Sequence, residues 1–255
     1  MSIPDAQIFP HATGAAGPTV DQHQTPQDLI FHAGWFCPFV QRVWIALEER
    51  GIPYEYKEVN PYKKEPRFLE LNPKGLVPAF EYRGQALYES LIMCEFLEDA
   101  FPSHRPALLP ADPVLRGRVR IWADFVNKTI STSFTRTLMA QDPAAQAASL
   151  QELYTGIRTF VAEVKGPYFL GDEFSLADVA IAPWIVRDYI LQEHRGYDRA
   201  AVGVDWTEYA DRIVARESIT KTTSEKDKME GIWGRYLRDE AMSEGTKAIR
   251  AGRPF

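Results

Sequence analysis

The sequence predicts a small α/β domain followed by an all-helical one. A strand–helix–strand unit begins at Leu29, a two-residue hairpin turn stands at Arg83-Gly84, and a proline-rich break over Phe101–Pro113 precedes a stretch with helical periodicity only.

The first strand is expected over Leu29–His32, followed by the turn Ala33-Gly34-Trp35-Phe36. Pro38 suits the first helical position, because its missing N–H would have no intrahelical partner in any case. Val40, Val43, Trp44 and Leu47 then recur at helical spacing, and Gly51 closes the helix. Tyr54–Val59 reads as the second strand, parallel to the first through a right-handed crossover. A short helix over Pro66–Leu71 ends at Asn72-Pro73-Lys74-Gly75. Ala79–Tyr82 and Gln85–Tyr88 form a hairpin, since only Arg83-Gly84 separates them. A helix from Ser90 to Ala100 completes the pattern β-α-β-α-β-β-α over residues 28–100.

Four prolines make residues 101–113 a linker. Residues 114–255 then form the helical domain. Val119, Trp122, Val126 and Ile130 mark one face of a helix over Val114–Met139, and Gln151–Val164 forms the next, broken by Gly166-Pro167. Ser175 and Asp178 have the spacing of a capping box, in which each side chain reaches the other's backbone N–H, ahead of an apolar helix through Ile181, Trp184 and Ile185. Residues 1–27 carry Pro, Ala, Gly and Gln without periodicity and lack the pattern of a secretory signal; they are expected to be a mobile extension.

Composition narrows the function. A net charge of -6 argues against non-specific nucleic-acid binding. The apolar runs are too short to cross a bilayer. Two cysteines far apart suggest no disulfide framework and fit a reducing cytoplasm. The five histidines have no metal-ligand spacing, so no metal is expected.

The residue with the clearest chemistry is Cys37. It lies between a strand and a helix, immediately before the helix's first residue, where the N–H groups and the helix dipole favour a thiolate. Val40 stands three residues on, so no Cys-x-x-Cys pair exists and a mixed disulfide on Cys37 must be resolved by an external thiol. Cys94, with Ile92, Phe96 and Leu97 as neighbours in its helix, is expected to be core.

The run Phe36-Cys37-Pro38-Phe39-Val40-Gln41-Arg42 resembles the thioredoxin-fold glutathione enzymes, and omega-class glutathione transferases in particular. Gly75-Leu76-Val77-Pro78, Tyr88-Glu89-Ser90 and the box at Ser175 and Asp178 follow in that family's order, so the resemblance spans roughly Leu29 to Trp184. It implies a thioredoxin-like first domain, glutathione as co-substrate and a homodimer. Cys37 would be the nucleophile. Phe39, Val77, Pro78, Glu89, Ser90 and a lysine would bind glutathione, with a cis bond before Pro78 and the Val77 backbone pairing with the tripeptide like an added strand. Lys64 is the expected lysine, with Lys63 left open. Trp122, Phe125, Trp184 and Arg187 would line the site of a small hydrophobic or disulfide second substrate, although aromatics at helical spacing also read as core. Expected reactions are glutathione-dependent thiol transfer, reduction of glutathione mixed disulfides and dehydroascorbate-type reduction, with slower conjugation. A glutathionyl-hydroquinone reductase, a ligand carrier and a chloride intracellular channel-like protein are the alternatives on this fold. No stable membrane association is expected.

Overall fold

A computed structural model describes residues 8–60 and 63–252. Its chain divides into two compact units, Met1–Leu108 with Glu217–Ile232, and Leu109–Arg216 with Trp233–Phe255.

The first unit contains helix α1 (Ala16–Gln22), strand β1 (Leu29–Ala33), α2 (Pro38–Arg50), β2 (Glu55–Glu58), α3 (Pro66–Leu71), the hairpin β3 (Ala79–Tyr82) and β4 (Gln85–Tyr88), and α4 (Ser90–Ala100). The strands form one sheet in the order β2-β1-β3-β4. β1 and β2 are parallel, and the other pairings are antiparallel, with Phe31 opposite Tyr56 on one side and Phe80 on the other. This is the thioredoxin-like βαβαββα arrangement. Arg83 and Gly84 both take positive φ, 51° and 76°, as a tight hairpin turn requires.

Side-chain alternation assigns the two faces of the sheet. Phe31, Tyr56 and Phe80 face α2 and α4, where Trp44 lies 5.0 Å from Tyr56 and Phe96 lies 6.1 Å from Phe80, centroid to centroid. The opposite face, through His32, meets Phe68 of α3 at 5.8 Å. Trp44 is fully buried, and its indole N–H donates to Tyr54 Oη at 2.7 Å, so the largest side chain of α2 leaves no orphan donor.

Two expectations about domain limits are corrected. Residues 8–27 are not a mobile extension: they carry α1, and Ala12, Ala16 and Thr19 are buried. The Tyr56 amide donates to His23 O at 2.7 Å, and Trp35 Nε1 donates to Phe9 O at 2.8 Å. Met1–Gln7 lie outside the described residues. Nor do all residues after 113 belong to the helical unit, since Glu217–Ile232 groups with the first. Gln41 Nε2 donates to Thr222 O at 3.1 Å, and Ser218 Oγ donates to Glu49 at 2.7 Å, tying this return segment to α2. Both segments are polar and aperiodic, so hydrophobic spacing could not register them.

The second unit holds α5 (Pro113–Phe125), α6 (Ser131–Met139), α7 (Pro143–Val161), α8 (Leu176–Arg195), α9 (Arg199–Val202) and α10 (Val204–Val214); α11 (Glu217–Thr220) belongs to the first, and α12 (Lys226–Leu237) and α13 (Glu244–Arg250) follow. The helix expected over Val114–Met139 is interrupted by a π turn at Val126–Ile130. Val126, Ile130, Phe134 and Leu138 are all buried and recur every fourth residue. That interval exceeds the roughly 3.6 residues of an α turn, and the wider π turn absorbs the surplus while keeping the four on one face. α7 starts at Pro143, earlier than apolar spacing indicates, because Asp142 caps it by accepting from the Ala145 amide.

The box at Ser175 and Asp178 is formed, and it does more than cap α8. Asp178 is fully buried and accepts from Ser175 N (2.8 Å), Ser175 Oγ (2.7 Å), Phe169 N (2.8 Å) and Tyr209 Oη (2.7 Å). Burial pushes its pKa above the ordinary carboxylate range, and these bonds oppose the rise. Asp178→Ala strands several buried donors and is expected to destabilise the fold by about 3 kcal/mol or more, a drop of roughly 6–12 °C in Tm. An unchanged melting curve by calorimetry would show that the network carries no stability.

Candidate active site

The candidate site is built where the C-terminal ends of the parallel strands β1 and β2 meet the loop before β3. Gly34 follows β1 at a tight approach: a Cβ there would lie 3.3 Å from Val77 Cγ2 and 3.4 Å from Val59 O. The chain then turns, with Cys37 N donating to Gly34 O at 2.9 Å. Trp35, at the crest of this turn, donates its amide to Glu58 Oε1 at 3.0 Å. Glu58 Oε2 in turn accepts from Tyr56 Oη at 2.8 Å. Loss of water around the carboxyl group pushes Glu58 up to about 7, and the bonds from Trp35 and Tyr56 oppose the rise.

Cys37 is the N-cap residue of α2, with φ -76° and ψ 125°, and Pro38 occupies the first turn as expected. Its thiol is half-buried, and Sγ lies 3.8 Å from Val77 O, within reach of a sulfur hydrogen bond. The Val77–Pro78 bond is cis, as the resemblance implies.

The loop carrying Val77 is organised by buried Asn72. Its Oδ1 accepts from Lys74 N at 3.1 Å and its Nδ2 donates to Leu76 O at 2.9 Å. Gly75 has φ 62°, and a Cβ there would fall 2.8 Å from Lys64 Nζ. Lys64 therefore lies along Gly75, two residues from Val77, whereas Lys63 is exposed.

Across the hairpin, Glu89 holds φ at 77°, a region that non-glycine residues seldom adopt, and its C=O accepts from Met93 N at the start of α4. Its carboxylate accepts from Lys74 Nζ at 2.7 Å, which raises the exposed Lys74. Ser90 is buried, and Arg42 Nη1 donates to its Oγ at 3.4 Å. Arg42 also stands 5.1 Å from the Phe39 ring centroid. Burial lowers this guanidinium to about 9, opposed by attraction to the sulfurs of Cys94 and Cys37.

Cys37, Phe39, Lys64, Val77, Pro78, Glu89 and Ser90 thus all lie in the first unit, on the edge formed by the turn after β1, the loop before β3 and the start of α4. Arg42, Glu58 and Lys74 join them there without any sequence signal that singles them out, because their roles depend on side-chain contacts between distant segments. Trp122 and Phe125 stand at the end of α5 with ring centroids 4.9 Å apart, and Trp122 also meets Phe160 and Phe169. Trp184 and Arg187 are only 4% and 2% exposed, and Arg187 donates to Pro183 O at 2.9 Å. Both are packing residues of the helical unit, so the expectation that they line an open pocket is corrected in favour of core.

Residues 36–100 match the family model described as the glutathione S-transferase N-terminal domain, and residues 143–207 match that of the C-terminal domain. The crystal structure of glutathione transferase Omega 3C from Trametes versicolor is similar at a TM-score of 0.83 and 60% identity, covering 85% of this chain and 98% of that one. Rice GST1, solved in complex with glutathione, is similar at a TM-score of 0.75 and 29% identity, covering 82% of this chain and 98% of that one. Glutathione S-transferase omega-1 of Sus scrofa is 32% identical over 64% of this chain and 68% of its own length.

The two cysteines differ sharply in surroundings. Cys94 is 1% exposed, and burial pushes its thiol up to about 12. Iodoacetamide at neutral pH is expected to modify Cys37 alone in the folded chain, with Cys94 reacting only after denaturation. Mass mapping that found Cys94 modified first would contradict this.

Proposed function

The chain belongs to the glutathione S-transferase family, as an omega-like member, and we propose that it acts through Cys37 in glutathione-dependent thiol transfer. The observation that carries this reading is a cysteine at a helix N-terminus with its sulfur 3.8 Å from the backbone of Val77. The N–H groups of the first helical turn favour the thiolate, and the Val77 main chain is placed to pair with an extended peptide. Rice GST1 is a glutathione complex on the same fold, which supports glutathione as that peptide.

In the proposed reaction the Cys37 thiolate attacks the glutathionyl sulfur of a mixed disulfide. A Cys37–glutathione disulfide forms, the original S–S bond breaks, and the partner leaves as a thiolate that takes up a proton. The thiolate of a glutathione molecule then attacks the glutathionyl sulfur on Cys37, yielding oxidised glutathione and restoring the Cys37 thiolate. Dehydroascorbate-type reduction draws the same two electrons from two glutathione molecules. Conjugation is slower, because a cysteine beside bound glutathione is consumed as a disulfide rather than holding its thiolate.

Glutathione is read into the site through its charged ends. Ser90, at the head of α4 and backed by Arg42, suits the γ-glutamyl carboxylate. Glu89 accepts the α-amino group, and its present bond to Lys74 shows that the carboxylate can hold an ammonium. Lys64 suits the glycine carboxylate. Trp122 and Phe125 remain the candidates for the second substrate. No helix among the described residues is long and apolar enough to cross a membrane, which favours a transferase over a membrane-inserted relative.

Incubation with oxidised glutathione is expected to add one glutathione, at Cys37. Cys37→Ser should abolish thiol transfer while leaving glutathione binding, because a hydroxyl is not ionised near neutral pH and cannot form a mixed disulfide. Cys94→Ser should retain nearly full activity. Retention of activity by Cys37→Ser together with its loss in Cys94→Ser would assign the nucleophile to the other cysteine.

A homodimer belongs to the same proposal. Ile92 on α4 and Ile121 on α5 are 54% and 65% exposed, apolar surface of the kind that a two-fold contact covers. Light scattering at micromolar concentration should give twice the chain mass, and a monomer mass would rule the dimer out.

A further inference from the structure

Resting on the assignment of Cys37 as nucleophile, we propose that Glu58 is a positioning residue, whose carboxylate fixes the turn that holds Cys37 by accepting the backbone N–H of Trp35. β1 and β2 run parallel to Ala33 and Glu58, and Val59 N still reaches Ala33 O at 2.6 Å. Beyond Ala33 the ladder has no further carbonyl or amide to offer the turn. The turn's own bond, Cys37 N to Gly34 O, does not use Trp35 N, and the Glu58 side chain accepts from it at 3.0 Å.

The grip is anchored at its other end. Glu58 Oε2 accepts from the hydroxyl of Tyr56, a side chain only 3% exposed and packed among Phe31 and Trp44. The carboxylate thus bridges a fixed point in the sheet core and the crest of the active-site turn. Trp35 is itself 2% exposed, and its indole N–H donates to Phe9 O, so the turn is held by its side chain and its amide from two directions. Gly34 supplies the third restraint through its close approach to Val59 and Val77. When ionised, a carboxylate two residues along the turn from Cys37, bound at Trp35 N, can only oppose a thiolate there by Coulomb repulsion. A carboxylate retained here therefore contributes through the geometry of its two accepted bonds and not through its charge.

That distinction makes the role testable in the full chain. Glu58→Gln keeps an oxygen for Trp35 N and discards the charge, whereas Glu58→Asp keeps the charge and shortens the reach. Glu58→Ala removes both. Three quantities are compared with wild type: the rate of Cys37 alkylation by iodoacetamide at mildly alkaline pH, where the Glu58 carboxyl, pushed up to about 7, is ionised, kcat and KM for thiol transfer with glutathione, and Tm.

Glu58→Gln is expected to alkylate at least as fast as wild type and to keep its kcat. Glu58→Asp and Glu58→Ala should lose roughly tenfold in both alkylation rate and kcat, with little change in the KM for glutathione, since a small misplacement of a reacting group has effects of this order or larger. Wild-type alkylation rates in Glu58→Asp, or an equal loss in Glu58→Gln and Glu58→Asp, would overturn the proposal. A wild-type chain without thiol transfer would overturn the functional reading instead, and the alkylation rates of the variants would still decide the role of Glu58.

Discussion

The site depends on the close meeting of three backbone segments at Gly34. The end of β1, the exit from β2 and the loop before β3 converge there, so that a Cβ would fit only tightly between Val59 O and Val77 Cγ2. With that approach closed, Trp35, Phe36 and Cys37 are laid over the Val77 segment, and the sulfur arrives 3.8 Å from the Val77 carbonyl. The location follows the general behaviour of open α/β sheets, whose ligands bind beyond the carboxyl ends of the parallel strands. The loop opposite is shaped by two residues. Asn72 closes it from inside, and Gly75 admits Lys64 against its backbone.

Buried ionic and polar groups then fix where each element starts and stops. Arg50, at the end of α2, donates to Phe101 O at 2.9 Å and His104 O at 3.0 Å and pairs with Glu98 at 3.3 Å. Glu98 in turn accepts from Leu108 N. The proline-rich stretch after α4 is therefore pinned to the first unit through one guanidinium, which supplies donors to carbonyls that have no helix or strand partner. Asp178 does the corresponding work in the second unit, where a single carboxylate joins the segment before α8, the head of α8 and Tyr209 of α10. Such groups add little net stability compared with apolar packing, but removing one partner is costly, so they define a chain path more than they deepen a well.

Much of the first unit was legible in the sequence, because its signals are local. The hairpin at Arg83-Gly84 and the helix Ser90–Ala100 follow from turn chemistry and apolar spacing, and Cys37 before Pro38 identifies a helix N-terminus without reference to anything distant. The residues that escaped notice act over long separations. Glu58 meets Trp35 across 23 positions and Arg42 meets Ser90 across 48. Glu58 reads as a solvated residue at the end of a strand, and Arg42 falls in a helix where a charged residue suggests an exposed face, yet Arg42 is fully buried. The π turn was hidden for a different reason. A four-residue interval lies close enough to the α repeat that each successive pair fits, and only the sum over Val126 to Leu138 reveals the excess.

The two cysteines differ in environment and not in residue type. Both lie on helices of the same unit and both are near Arg42. Cys94 lies in the interior of α4, where neighbouring amides are committed to the helix, and desolvation outweighs its attraction to the guanidinium. Cys37 heads α2, ahead of a proline that has no amide to give, so the next N–H groups of the first turn point toward its end of the helix. It also keeps one side open. On the proposed mechanism that open side is essential: with Val40 in place of a second cysteine and Cys94 sealed in the core, the thiol that resolves a disulfide on Cys37 must approach from solvent. On the same mechanism the Val77 backbone, 3.8 Å from the sulfur, offers an extended thiol-bearing peptide a main-chain partner that a compact thiol of the same reactivity could not use.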